Sequence, residues 1–281
     1  MMGQVSERAM AIVREVNNRT SASHYRLVLN EERRPAVTDS KIGGKPYWPA
    51  GKEYPVDDHG NNMLMVMQVN CHQAGLKAPL PEQGMLQWFI SVNDERMYGC
   101  RGNYDEDGSG FAIVYHSEVT DGPMENGLPS HDLVDDEFTP VKREVAIDVE
   151  IGQTTMGVTD GRFNGLFFDV VAKITGVHQA VDGKMWYEYL DNDDCLYLEQ
   201  QLGMKRPCHQ MLGFPVYSQD EARRDIALHD TLLFQLDSQF STMDRKPLIM
   251  WGDMGSGFIF INRDDLAALN FARTYYCWDC G

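Results

Sequence analysis

His209-Gln-Met-Leu-Gly213-Phe-Pro215, Leu232-Leu-Phe-Gln235-Leu-Asp237-Ser238, Leu248-Ile-Met-Trp251-Gly-Asp253 and Gly255-Ser-Gly-Phe-Ile-Phe-Ile261 follow one another in the second half of the chain. A looser copy runs through the first half in the same order. Gly44-Lys-Pro46 matches Gly213-Phe-Pro215. Gln68 lies 22 residues after Pro46, and Gln235 lies 20 residues after Pro215. Trp88 then answers Trp251, and Gly108-Ser-Gly-Phe111 answers Gly255-Ser-Gly-Phe258. This order points to an internal duplication with halves at about 40–116 and 209–262. Its structural residues are Gly44, Pro46, Gln68, Gly213, Pro215, Gln235 and Trp251.

Gln68 and Gln235 sit inside apolar runs. A buried amide needs partners for two donors and an acceptor. We therefore expect both side chains to be buried and bonded to main chain. A primary amide does not titrate, so neither serves as a general base.

The rest of the chain supplies elements for such a sheet. Val5, Ala9, Ile12, Val13 and Val16 recur at helical spacing over 3–17. Strands are expected at 25–29, 63–69, 86–92, 108–115 and 145–151 in the first half and its exit. In the second half they are expected at 232–236, 248–251, 255–261 and 271–278. Ser218 and Glu221 have capping-box spacing, which predicts a helix over 219–228. Asn262 is placed to cap another, to about Leu269. The polar stretch 117–140 reads as a loop between the halves. Asp57-Asp58-His59-Gly60-Asn61 reads as a turn. The fold class expected is α+β: a large mixed or antiparallel sheet with an internal duplication and a few packing helices, in one domain over 1–281.

Composition narrows the partners. The chain has 281 residues, 43% of them hydrophobic, enough for a sizeable core. A net charge of −17 repels nucleic-acid phosphates and anionic membrane surfaces. No stretch approaches the ~18 apolar residues of a membrane span, and the opening residues lack a signal-peptide pattern. Six scattered cysteines suit reduced thiols and a cytoplasmic protein.

Ser40-Lys-Ile-Gly-Gly-Lys-Pro-Tyr-Trp-Pro49, Gln68-Val-Asn70, Gly84-Met-Leu-Gln-Trp-Phe-Ile-Ser91, His209 to Pro215, Leu232 to Ser238, Met250-Trp-Gly-Asp-Met-Gly-Ser-Gly257 and Trp278-Asp-Cys280 together resemble the YwqG-like family, a bacterial domain of unknown function. The resemblance spans roughly residues 4 to 280. It implies a single α+β domain with an internal duplication, and it implies no activity.

Candidate chemistry is sparse. Asn103-Tyr-Asp105-Glu-Asp107-Gly108 has the start of a calcium loop, but its twelfth position is Val114 instead of Glu, so an acidic turn is the better reading. Cys277-Trp-Asp-Cys280 has zinc-type spacing, with only Cys208-His209 to complete it, and structural cysteines are expected. His209, Asp237, Asp253 and Asp279 are the residues to inspect for acid/base or metal work. Neither a cofactor nor a metal is expected. Tyr47, Trp48 and Tyr54 form one aromatic group, and Trp186, Tyr187 and Tyr189 another; both are expected to cover sheet edges. The reading is a non-enzymatic module that binds a protein or peptide. An immunity-like inhibitor of a basic toxin fits the charge. The alternative is a hydrolytic enzyme using His209 with Asp237 or Asp253.

Overall fold

A computed structural model describes residues 5–93, 95–101, 108–133, 137–177, 183–219, 221 and 223–281. The N-terminal helix α1 (Glu7–Thr20) starts where Ser6 accepts the Ala9 N–H, and Ala9, Ile12, Val13 and Val16 form its buried stripe. The strands of the first half follow: β1 (Ala22–Asn30), β2 (Lys41–Ile42), β3 (Leu64–Asn70), β4 (Met85–Ile90) and β5 (Phe111–His116). Next come β6 (Val145–Thr154), α2 (Phe163–Thr175), α3 (Asn192–Gln201), β7 (Gln210–Met211) and β8 (Thr231–Asp237). A small ribbon of β9 (Gln239–Phe240) and β10 (Pro247–Ile249) precedes β11 (Ser256–Ile261), α4 (Arg263–Ala267) and β12 (Thr274–Asp279).

Ten strands form one sheet in the order β12-β11-β8-β7-β1-β6-β2-β3-β4-β5. Every pairing is antiparallel, so the sheet is not mixed. β3, β4 and β11 are buried along their whole length, which is why they read as continuous apolar runs. The sheet curls until its ends meet. Phe111 of β5 lies 5.3 Å from Tyr276 of β12, and Trp88 of β4 stacks on Trp251 at 5.6 Å between them. A second apolar cluster, centred on Phe163, Phe167, Phe168 and Trp186, joins α1, α2 and α3.

The two flanks of the β1–β6 pair match. Reading outward from it, strand lengths are two, seven, six and six residues on both sides. Val28 pairs with Asp148, Leu27 with Val149 and Leu29 with Ile147, a register symmetric about the first pair. Leu27 N–H donates to His209 O and Ile147 N–H to Ser40 O, both at 2.9 Å. Pairing of β3 with β4 skips Val66, and pairing of β8 with β11 skips Leu233, two residues before Gln68 and Gln235 respectively. Such bulges bend a strand and raise its twist, which suits a sheet that curls.

Three sequence expectations change. No helix forms over the described residues of 218–228. Ser218 spends its hydroxyl on Arg206, while Glu221 turns to the Arg223 guanidinium at 2.6 Å. The Gly108-Ser-Gly-Phe111 segment does not correspond to Gly255-Ser-Gly-Phe258, because it leads into β5 whereas the latter enters β11. Gly84 and Gly255 are the matching pair: a Cβ there would lie 2.0 Å from His116 O and 1.7 Å from Asp279 O. Trp88 lies within β4 and Trp251 in the turn before β11, so they meet face to face instead of occupying matching places.

Candidate functional site

Gln68 and Gln235 are both fully buried, and each makes four hydrogen bonds. Gln68 Oε1 accepts from Tyr47 N–H at 2.9 Å and from Gln87 Nε2 at 3.2 Å. Its Nε2 donates to Val37 O and Asp39 O, both at 2.8 Å. Gln235 Oε1 accepts from Val216 N–H at 3.0 Å and from Gln210 Nε2 at 3.1 Å. Its Nε2 donates to Val216 O at 3.0 Å and Asp237 Oδ1 at 2.8 Å. Tyr47 and Val216 each follow a proline, Pro46 or Pro215. A proline lacks an N–H, so the next residue supplies the first donor available for tying the incoming segment to the strand. Leu212 and Gly213 both have positive φ before that proline, as do Gly43 and Gly44.

Around Gln235 the second half builds a closed polar knot. Asp237 is fully buried; its Oδ2 accepts from Cys208 N–H at 2.7 Å and from Arg206 Nε at 3.1 Å. The Arg206 guanidinium also donates to Met254 O at 2.9 Å, to Ser256 Oγ at 2.7 Å and to Ser218 Oγ. Asp279 accepts from the N–H groups of Ser218 and Ser256, and burial raises its pKa above the usual carboxylate value against those bonds. His209 Nδ1 accepts the Asp237 main-chain N–H at 3.0 Å, so the neutral ring carries its hydrogen on Nε2, which faces Gln239 Oε1 at 2.6 Å. Burial pushes His209 below its ordinary pKa, opposed by the Asp237 charge.

Both His209 nitrogens are therefore occupied, and its contact with Asp237 is to main chain, not to the carboxylate. Asp253 is exposed in the turn before β11 and joins none of this; its carbonyl accepts the Gly281 N–H. The knot fixes loops to strand ends, in the way that buried ion pairs require their remaining polar atoms to be satisfied. Arg206, Ser218 and Gln239 are the participants that sequence reading missed. The only signal was the packing of Arg206-Pro207 against the already suspect Cys208-His209.

The other candidates fall as follows. Cys277 packs beside Tyr217 and Phe258, and burial raises its pKa well above the usual thiol value. Cys280 packs against the main core, near Gly252. The Asn103–Asp107 part of the calcium-loop candidate lies outside the described residues. Asp57, Asp58 and His59 are the only close group of metal-type ligands among the described residues. Burial works to raise the Asp57 pKa, but Asn61 and His59 N–H groups with Ser91 and Asn93 hold it at about 2. Trp48 and Trp186 are buried, whereas Tyr187 is half exposed.

An open feature lies beside β1. The two-residue strand β7 stops while β1 continues, and the last bond between them is Leu27 N–H to His209 O. Val28 and Leu29 then border a cavity of about 430 Å³, walled across by Lys205, Pro207, Cys208 and His209. Main-chain groups alternate direction along an antiparallel strand. Leu27 faces β7, so Leu29 also turns its N–H and C=O toward the cavity. Arg26 and Lys205 place positive charge at its rim, and Arg26 is only loosely held by Glu150 at 3.5 Å. The matching edge of β6 is partly closed, since Arg33 donates to Ile147 O at 3.0 Å.

A family model described as a domain of unknown function (DUF1963) matches residues 40–280, and the chain belongs to that family. None of the curated proteins compared matches the chain. No helix among the described residues is long and apolar enough to cross a membrane.

Proposed function

We propose that this member of the DUF1963 family is a non-enzymatic binding module that takes an extended, acidic peptide segment as an added strand beside β1. The observation that carries this reading is the unfinished β1 edge at Leu27–Leu29 in an open cavity. About three residues of strand fit there, ~10 Å at ~3.3 Å per residue. The segment would continue β7 and run antiparallel to β1, with main-chain bonds supplying affinity and Arg26 and Lys205 selecting acidic side chains.

The same reading takes the chain as one duplicated domain over 1–281, its halves related about the Val28–Asp148 pair. Equal strand lengths, matched bulges and the two glutamine networks support it. The YwqG-like motifs are compatible with the family, and with them goes a bacterial cytoplasmic setting. An immunity-like role toward a basic toxin rests on the net charge of −17. That field is screened over roughly 8 Å at physiological salt, so the local cations govern contact at this groove. The saturated His209 weighs against the hydrolytic alternative.

Selection of displayed random peptides on the folded protein tests the proposal, with Leu29→Pro as comparison. Proline at 29 removes the N–H that faces the cavity while Arg26, Val28 and Asn30 keep the bonds to β6, and Leu29→Ala controls for the core packing that the leucine side chain gives up. Enriched acidic peptides that bind Leu29→Pro roughly tenfold more weakly or worse are the expected result. Peptides that bind both proteins alike, or no enrichment at all, would refute it.

A further inference from the structure

We infer a second site, independent of the peptide groove: an oxyanion pocket on the first half, walled by Arg34, Lys41, Lys45 and Arg143, that takes a small polar phosphate or carboxylate compound. The cavity holds about 560 Å³, within the range of small-molecule sites. Among the described residues four cations face two acids there, Asp132 and Glu144, in a chain whose net charge is −17. Arg143 is also held by Asp244 at 2.7 Å, which leaves Arg34, Lys41 and Lys45 as the ligand-facing charges.

Lys41 separates this pocket from an ordinary solvated patch. Its side chain is 2% exposed, and its ammonium donates to Glu144 Oε1 at 2.8 Å. It has no other partner among the described residues. An ammonium has three donors, so two are left unfilled on a group that water barely reaches. A buried charge in that state is stabilised by an anion arriving from the pocket. Arg34 and Lys45 are exposed and make no hydrogen bond among the described residues. The Ser130 hydroxyl and, across the pocket, the Lys45 charge help hold the Asp132 carboxyl below its ordinary pKa.

The opposite flank of the sheet fills the same place differently. Strand pairing puts Gln210 where Lys41 stands, and His24 where Glu144 stands. Gly44 and Gly213 match as well: a Cβ at the first would strike Glu144, and at the second would press on His24. Phe214 then corresponds to Lys45, and it packs into the cluster formed by α1, α2 and α3. Helices and a neutral pair fill one flank; cations and open space occupy the other. Among the described residues the lining is charged or polar apart from Pro35, Val37 and Gly44, which suits a small polar oxyanion.

Amide NMR spectra, titrated with inorganic phosphate at fixed ionic strength, test the site; citrate in a parallel titration separates a phosphate from a carboxylate preference. Saturable shifts at Lys41, Gly44 and Lys45 with either probe are expected. Arg34→Glu combined with Lys45→Glu changes only exposed side chains, so the fold is kept and binding should weaken roughly tenfold or more. Lys41→Met should abolish saturation if it folds. Shifts that stay linear with both probes, or an affinity unchanged in the double variant, would overturn the inference.

Discussion

Replacing Gln68 or Gln235 with methionine should destabilise the fold heavily and by similar amounts. Methionine keeps the volume and removes the amide. In Gln68→Met, the buried Tyr47 N–H loses its acceptor, which costs roughly 1–3 kcal/mol. Val37 O, Asp39 O and one Gln87 N–H also lose a partner. Residues 37 and 39 are half-buried, so water can reach their carbonyls and each loss is smaller, about 0.5 kcal/mol. The total is about 2–4 kcal/mol. In Gln235→Met, Val216 loses both a donor and an acceptor bond, and the buried Asp237 carboxylate loses one of three donors. Val216 is half-buried too, so with about 1–3 kcal/mol for the buried carboxylate the total is again about 2–4 kcal/mol. Gln87→Met is the control. That side chain donates only to Tyr47 O and Gln68, and its own oxygen already lacks a partner, so about 1 kcal/mol is expected. Urea unfolding followed by fluorescence and circular dichroism measures all three, with coincident transitions as the check on two-state behaviour. Losses below about 1 kcal/mol for Gln68→Met and Gln235→Met, or a Gln87→Met loss as large as theirs, would refute the role given to the repeated amides.

Further outcomes follow from the same geometry. His24, His116, His209 and His229 are all held below their ordinary pKa by burial, His116 at about 4. The unfolded chain therefore binds protons first, so stability should be flat above about pH 6.5 and fall as pH drops toward 4; calorimetry at pH 7 and 5 would show a lower Tm at pH 5, and His116→Gln should flatten part of that slope. Gly44→Ala combines a positive φ with a collision against Glu144, whereas Gly60→Ala meets open space, so urea midpoints should fall clearly further for the first, with about 1 kcal/mol expected for the second. His209→Gln should lower stability by roughly 1–2 kcal/mol through the orphaned Asp237 N–H, and panels of ester and phosphoester substrates should show no turnover that depends on His209.

The apolar strands β3, β4, β8 and β11 were legible because burial on both faces leaves an unbroken hydrophobic run. The glutamines were legible because a polar residue inside such a run demands a partner. Two residues beyond each glutamine the parallel continues in the structure: Ser40 Oγ accepts the Asn70 N–H at 2.9 Å and His209 Nδ1 the Asp237 N–H at 3.0 Å. The two-residue strands β2 and β7 are too short to show any periodicity, yet the brevity of β7 is what leaves the β1 edge open. Helix α2 begins at Phe163 after an N-cap residue, Arg162, that makes no side-chain cap, and its start gave no signal. The capping-box spacing of Ser218 and Glu221 misled because arginines claim both side chains, Arg206 that of Ser218 and the nearby Arg223 that of Glu221. The repeated Gly-Ser-Gly-Phe misled for a different reason: tight strand starts need glycine in many places, so the same letters recur at sites that do not correspond. The open pocket around Lys41 was hidden because its walls come from residues 34, 41, 45, 131 and 143, brought together only by the β2–β6 pairing.

The most direct measurement of the central claim is hydrogen exchange at the Leu29 amide, with and without a selected acidic peptide. In the free protein this amide faces the cavity and should exchange much faster than those of Val28 and Asn30, which are bonded to β6. Saturating peptide should slow Leu29 exchange strongly, and cross-strand contacts between peptide and β1 should follow an antiparallel register. A Leu29 amide that is already protected in the free protein, or that exchanges at the same rate when peptide is bound, would contradict the account.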